Sequence, residues 1–259
     1  YHVARTADDI ADEGDATPQQ RLDALQAYRR DLETSCTAAL SGTPLPASAY
    51  ASARWPQVFG PLQVALQTHQ LPPQLLHDLL DAFVQDTRKS AAAQGYATHD
   101  ELLDYCRMSA NPVGRLLLHL YGVHSAQALR ESDAICTALQ LINFWQDLSV
   151  DIPRGRFYLP DDDCAAHGVD CSQLQALQPT PRTTALITEH ARWARATMLE
   201  GAPLVHRLPG RIGWELRLVV QGGLRILDKV DALHGHSLCQ RPRIRAWDAP
   251  VMLGRALVM

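Results

Sequence analysis

The chain has 259 residues, 46% hydrophobic and 20% charged, with a formal net charge of −4. That length can bury a sizeable core. Scattered glycine and proline exclude a low-complexity chain, and the absence of any basic block argues against nucleic acid as the main partner. No run of 18 apolar residues occurs, so no transmembrane helix is expected.

No signal peptide is visible, and the start at Tyr1 without a methionine points to a natural N-terminus that is missing. The expected location is the cytoplasm, with peripheral association at the inner membrane surface left open. The six cysteines, Cys36, Cys106, Cys136, Cys164, Cys171 and Cys239, form no Cys-x-x-Cys pair, and no His/Cys spacing fits a zinc site. Reduced, partly buried thiols are expected.

Helical periodicity dominates and alternating strand patterns are scarce. Residues 1–12 read as the end of a helix, with Gly14 just beyond it. Thr17-Pro18 opens the next helix, which runs to about Leu40, and residues 41–46 read as a loop. Further helices are expected over 47–55, 61–69, 72–94, 98–109, 111–121 and 125–130. Ser132 is expected to cap a long helix to about Val150, with Asp133 in its first turn, and Pro153 with Gly155 to end it. Residues 153–182 read as mostly loop with one short helix near 161–167. Two long helices follow, over 183–207 and 210–234, and the tail 238–259 has no clear assignment. No linker separates domains, so one all-α domain over 1–259 is expected, its first helix truncated.

Two acidic stripes carry the chemistry. Asp8 and Asp12, four apart, share one helix face, where like charges repel without a counter-ion; alone, such a pair reads most simply as a solvated acidic face. Asn143, Asp147 and Asp151 follow at i, i+4 and i+8 and form a second stripe, flanked by Leu139, Leu141, Ile142, Phe144, Trp145 and Leu148. A largely buried row of oxygen donors calls for a cation, because unpaired buried carboxylates are costly. Carboxylates with an amide oxygen suit Mg²⁺, which keeps several waters and often bridges to phosphate. Just downstream, Arg154 and Arg156 offer guanidinium forks that match phosphate oxygens. The plainer alternative pairs these arginines with Asp161, Asp162 and Asp163.

These residues resemble the squalene/phytoene synthase family, the head-to-head prenyl synthases. The matching residues are Tyr1, Arg5, Asp8, Asp9 and Asp12; then Gln140, Leu141, Asn143, Asp147 and Asp151; then Arg156, Tyr158, Leu159 and Pro160; and Tyr105 with Cys106, Ala110 and Gly114. The resemblance spans residues 1 to about 230. It implies a bundle of antiparallel helices around a central apolar cavity and a prenyl diphosphate substrate. Asp8, Asp12, Asn143, Asp147 and Asp151 would bind Mg²⁺. Arg5, Arg156 and Tyr158 would take up developing charge, with Tyr1 and Gln140 also contacting substrate and Tyr105 in the catalytic set.

Within the family the chain is most similar to the bacterial hopanoid-pathway branch, the hydroxysqualene synthases, at three points. Gln146 stands where carotenoid-type members usually have arginine. Asn111-Pro112 interrupts a region that is usually Gly-rich and apolar. Gly223 replaces a tyrosine of several relatives and is expected to leave room. The resemblance then implies ionisation of presqualene diphosphate, rearrangement and capture of water, with Asn111 a candidate to place that water and helix capping its competing role. The alternatives are condensation to presqualene diphosphate, squalene or phytoene, and a non-catalytic helical partner subunit. No Gly-x-Gly-x-x-Gly follows a strand, so no nicotinamide site is indicated. His2, His119, His124 and His167 are expected to be structural or solvent-facing, and Trp55, Trp193 and Trp214 to be core residues.

Overall fold

The computed structural model describes residues 1–42, 46 and 49–259; the expected loop residues 43–45 and the first two positions of the expected 47–55 helix lie outside the described residues. Among the described residues twelve α-helices run in order: α1 (His2–Asp12), α2 (Pro18–Ser41), α3 (Pro56–His69), α4 (Pro73–Ala92), α5 (His99–Ser109), α6 (Asn111–Leu120), α7 (Ala126–Asp151), α8 (Asp161–Ala166), α9 (Cys171–Gln175), α10 (Pro181–Gly201), α11 (Gly210–Ala232) and α12 (Ala249–Val258). No strand occurs among the described residues, so the fold is all-α as expected.

Several boundaries follow local chemistry. Thr17 caps α2 with a reciprocal Gln20 capping box, and Gly42 closes it in the left-handed region. Gly14, at φ +75°, turns the chain out of α1. Other expectations fail. Residues 49–55 are not α-helical, and α3 instead begins at Pro56, with Pro61 inside it. The earlier proline is the start signal, because its missing N–H costs nothing in a first turn. Ser132 does not cap a helix: Ser125 does, accepting from the Ala128 amide, and α7 runs unbroken through Ser132. Ser132 is buried where α6 crosses, so tertiary packing overrides its capping signal. The expected 183–207 helix, α10, ends at Gly201, and residues 202–206 continue as a 3-10 turn. The 153–182 region holds two short helices, and the tail docks α12 on α11.

The helices pack around two apolar clusters. One gathers Leu25, Tyr28, Leu32, Phe59 and Leu76 between α2, α3 and α4. The larger centres on α7, with Leu141, Trp145, Leu186, Met198 and Leu227 fully buried. Helix α4 contributes to both, through Leu80 on one side and Ala82 on the other. Trp55 is buried and Trp193 packs on the larger cluster, but Trp214 is 37% exposed on the outer side of α11, contrary to expectation. No disulfide joins the cysteines; Cys36, Cys106 and Cys164 are buried. No helix among the described residues is long and apolar enough to cross a membrane.

Helix α7 is gripped closely by its neighbours. A Cβ on Gly201 would lie 2.5 Å from the Glu131 carbonyl oxygen and 2.8 Å from the Ile135 nitrogen, both backbone atoms of α7. Gly201→Ala should therefore cost about 1–3 kcal/mol through overpacking and lower the melting temperature by several degrees. Gly254, with open space around it in α12, is the control; alanine there should be neutral or slightly stabilising. Thermal denaturation followed by circular dichroism separates the two.

Candidate active site

Helix α1 buries Ala7 and Ala11 against the bundle, and Asp8 and Asp12, each the next residue along, form the adjacent stripe. Arg5, one turn earlier, holds Asp8 at 2.9 Å, Asp9 at 2.8 Å and Glu13 at 2.8 Å. The C-terminal half of α7 buries Leu141, Ile142, Phe144, Trp145 and Leu148 and leaves Asn143, Asp147 and Asp151 accessible. A 3-10 turn over Ile152–Arg154 follows, and Gly155 at φ +75° reverses the chain. The Arg156 amide then bonds back to the Asp151 carbonyl at 3.0 Å.

This reversal places Arg156 between the stripes. Its Nη2 lies 2.5 Å from Asp12 Oδ1 on α1, and its charge also acts on Asp151 and on Asp86 of α4. Arg156 therefore does not pair with Asp161, Asp162 or Asp163. Asp147 has its own guanidinium: Arg241 grips both carboxylate oxygens, with Nη2–Oδ2 at 2.9 Å. The Arg241 segment is held because Gln146 donates to the Pro242 carbonyl at 2.8 Å. Aromatic rings wall the inner side. Tyr158 stacks on Phe144 with centroids 3.9 Å apart, and Tyr105 lies 6.4 Å from Tyr158 and donates a short hydrogen bond to Asp86.

The electrostatics follow from crowding. Burial, then the neighbouring Asp147, pushes Asp151 up to about 6. Burial lifts Asp86 to about 7 even though the Tyr105 hydrogen bond pulls it down. Asp8 is raised by burial and by Asp12. Burial likewise raises Tyr105 and Tyr158, so both phenols remain donors. Burial and crowding hold Asp8, Asp86 and Asp151 toward the protonated form and guanidiniums sit on Asp12 and Asp147, so this oxygen-rich set is one that added positive charge would stabilise.

An apolar cavity of about 290 Å³ lies between α6, α7 and α11, lined by Val113, Leu117, Ile135, Leu139, Leu208 and Leu216 among others. On α7 the positions Ile135, Leu139, Asn143, Asp147 and Asp151 recur every four residues, along one row that winds gradually around the helix. Its first two members line the cavity and its last three carry the polar groups.

Other expected site residues sit differently. Tyr1 is 92% exposed, and Gln140 is half-buried on α7. Asn111 is buried at the first residue of α6, and its amide oxygen accepts from Thr137 of α7 at 3.0 Å. It caps nothing: Ala110 occupies the N-cap and no side chain bonds the helix start, so the capping role falls. Nor does Gly223 leave room, because a Cβ there would meet Met198 at 2.9 Å, Ile142 at 3.1 Å and Leu139 at 3.3 Å. Sequence reasoning missed Asp86 and Arg241. For Asp86 there was a signal, a carboxylate continuing the buried stripe of Leu79 and Ala82 on α4. For Arg241, in an irregular segment, there was none.

The raised Asp86 gives a testable sign. Where a carboxyl binds its proton more tightly folded than unfolded, stability is present at low pH and is lost as pH rises through the folded value. Between about pH 4 and 7 the metal-free wild type should lose up to about 1.4 kcal/mol per pH unit relative to Asp86→Asn. Urea titrations of both proteins across that range should show the variant's relative gain; parallel curves would count against a perturbed Asp86.

Comparison with known proteins agrees with this geometry. The sequence profile described as Squalene/phytoene synthase matches residues 1–248. The hydroxysqualene synthase of Sinorhizobium fredii is 31% identical over 235 residues, 89% of this chain and 70% of that protein. That of Zymomonas mobilis is 35% identical over 177 residues, covering 67% of this chain and 52% of its own length. Proteins described as phytoene synthase and presqualene diphosphate synthase match as well. Among solved structures, the squalene synthase HpnC from Alicyclobacillus acidocaldarius superposes with a TM-score of 0.76 at 33% identity, covering 90% of this chain and 80% of that one. On the family match, the sequence identity and the shared fold, the chain belongs to the squalene/phytoene synthase family and is an enzyme of that family.

Proposed function

We propose that the chain ionises presqualene diphosphate in a Mg²⁺-dependent reaction and directs rearrangement and water capture to hydroxysqualene. The observation that carries this reading is the α7 stripe, which joins an apolar cavity to carboxylates placed opposite those of α1. The similarity to hydroxysqualene synthases supports the choice of branch. We further propose that residues 1–259 form one isoprenoid synthase domain, because α4 serves both apolar clusters.

In this reading Asp8, Asp12, Asn143, Asp147 and Asp151 would hold Mg²⁺, and the metal would supply Lewis-acid stabilisation of the diphosphate leaving group. Arg5, Arg156 and Tyr158 donate hydrogen bonds to the departing oxygens as the carbon–oxygen bond breaks. The cavity wall shields the cyclopropylcarbinyl cation from bulk water while it rearranges. One retained water then attacks the cation and loses a proton, giving the alcohol. Asn111, with its amide oxygen on Thr137, is the candidate to orient that water from inside the bundle. Tyr1 and Gln140 add substrate contacts. The second reading, condensation to presqualene diphosphate or phytoene, is favoured by the relatives of those names.

Incubation with farnesyl, geranylgeranyl or presqualene diphosphate, with and without NADPH, decides between the two. Hydroxysqualene from presqualene diphosphate alone, independent of NADPH, is expected; condensation of farnesyl or geranylgeranyl diphosphate as the sole activity would replace the first reading with the second.

Asp8→Ala and Asp147→Ala should each lower turnover at least about a hundredfold, since metal–leaving-group contacts supply several kcal/mol. The metal-free fold should be little changed, or slightly steadier for Asp8→Ala, where a raised carboxyl is removed. Near-normal turnover in either would remove that residue from the metal set.

Asn111→Ala should shift products from alcohol toward hydrocarbon or rearranged species at similar substrate consumption. It should also cost about 1–2 kcal/mol through the lost Thr137 bond. An unchanged product mixture would end the water-placing role.

A further inference from the structure

Away from the acidic stripes, three ligand-type side chains converge from three helices. They are His99 at the start of α5, Asp163 in the first turn of α8 and His190 in the middle of α10. Their nearest ligand atoms all lie within 4.8 Å of one another. His190 Nε2 is 3.1 Å from Asp163 Oδ2, and His99 Nε2 touches the same oxygen. No Cys/His spacing announced this cluster, because it is assembled by the fold.

The hydrogen-bond inventory is what calls for an ion. His190 is 2% exposed, and its Nδ1 lies 2.9 Å from the Leu186 carbonyl. A carbonyl can only accept, so Nδ1 carries the ring proton and the neutral ring presents a lone pair at Nε2. That lone pair faces a carboxylate oxygen, which is also an acceptor. Accordingly, His99 Nε2, Asp163 Oδ2 and His190 Nε2 are all buried, and none makes a hydrogen bond of acceptable geometry. His190 Nε2 and Asp163 Oδ2 are thus two buried acceptors in contact, with His99 Nε2 closing on the same oxygen, an arrangement that positive charge among them relieves.

We propose that His99, Asp163 and His190 bind a divalent transition-metal ion, of which Zn²⁺ is the type, as a structural site distinct from the acidic stripes. Two imidazoles and one carboxylate suit a borderline ion, whereas Mg²⁺ prefers oxygen alone. A four-coordinate ion with bonds of about 2.1 Å holds its ligand atoms about 3.4 Å apart, so small side-chain shifts suffice here. The bond from His190 Nδ1 to Leu186 is the outer contact that fixes a metal-bound imidazole. Trp193 stacks on His99 at 4.2 Å and Trp145 stands edge-on to His190 at 4.8 Å, which keeps bulk water from two sides. The fourth position falls to a water.

The placement gives the ion a task. Asp163 follows the Arg156–Pro160 segment by three residues, and the Asp161 and Asp162 amides already bond the carbonyls of Tyr96 and Ala97, just before His99. The ion would complete that seam and fasten the segment carrying Arg156 and Tyr158 to α10.

Zn²⁺ titrated into chelator-treated protein in excess Mg²⁺, followed by calorimetry, tests this directly. One ion per chain is expected, with a rise in melting temperature. His99→Gln and Asp163→Asn, checked for fold by circular dichroism, should each weaken binding at least about tenfold and abolish the rise. Asp147→Asn should bind Zn²⁺ like wild type. No zinc uptake by the wild type, or binding unchanged in both cluster variants, overturns the proposal. Should a cluster variant fail to fold, Co²⁺ decides on the wild type: strong visible bands of a four-coordinate nitrogen–oxygen site support the cluster, and only the weak band of an all-oxygen octahedral site refutes it.

Discussion

Like charges do not gather without a reason, and the helices of this protein bring Asp8, Asp12, Asp86, Asp147 and Asp151 toward one another from α1, α4 and α7. The repulsion is contained by guanidiniums. Arg156 spans from the end of α7 to α1, and Arg241 reaches from the tail to Asp147. Remove the carboxylates and neither arginine has a reason to cross the bundle. Remove the arginines and the carboxylates face each other across a partly dry gap. The family's proposed chemistry uses the same imbalance, since a site that already needs positive charge is prepared for metal ions and their diphosphate.

Helix α7 organises everything else. One of its stripes changes character along its length, from Ile135 and Leu139 to Asn143, Asp147 and Asp151. A prenyl diphosphate has the same polarity, a long apolar tail and a charged head. The remaining faces of α7 are buried by α6, α10 and α11, with Trp145 at the centre fully enclosed. The helix is thus held by packing, and Asn143, Asp147 and Asp151 stand on a part of its surface that packing leaves accessible.

Much of this was legible in the sequence because it depends on local period. The i, i+4 spacing placed Asp8 with Asp12 and Asn143 with Asp147, and Thr17, Pro18, Gly14 and Gly155 marked their boundaries. Failures came where contacts distant in sequence decided the outcome. Ser132 carries a capping signal, yet Gly114 of α6 presses against its hydroxyl inside an unbroken helix. Gly223 looked like spare volume, but Met198, Ile142 and Leu139 fill it. Arg241 and the His99–Asp163–His190 cluster are meetings between elements, and no window of sequence contains them, whereas Asp86 left one local trace, a carboxylate continuing a buried helix stripe. The roles assigned to Tyr1, Gln140 and Asn111 rest on motif position rather than on a distinctive local signal.

The close glycine contacts on α7 have a consequence for how such an enzyme can diversify. At Gly201 a neighbour's backbone sits where a side chain would be, so α7 can neither rotate nor slide without a collision. Its acidic stripe is a fixed rail. The Arg241 segment, by contrast, is tied across that rail by an ion pair to Asp147 and one hydrogen bond from the Gln146 side chain to the Pro242 carbonyl. Exposed polar ties of this kind are individually weak and easily exchanged. Variation around the polar end of the rail can therefore accumulate in the 239–245 segment while the rail stays in register, which separates the part of the molecule that must not change from the part that is free to.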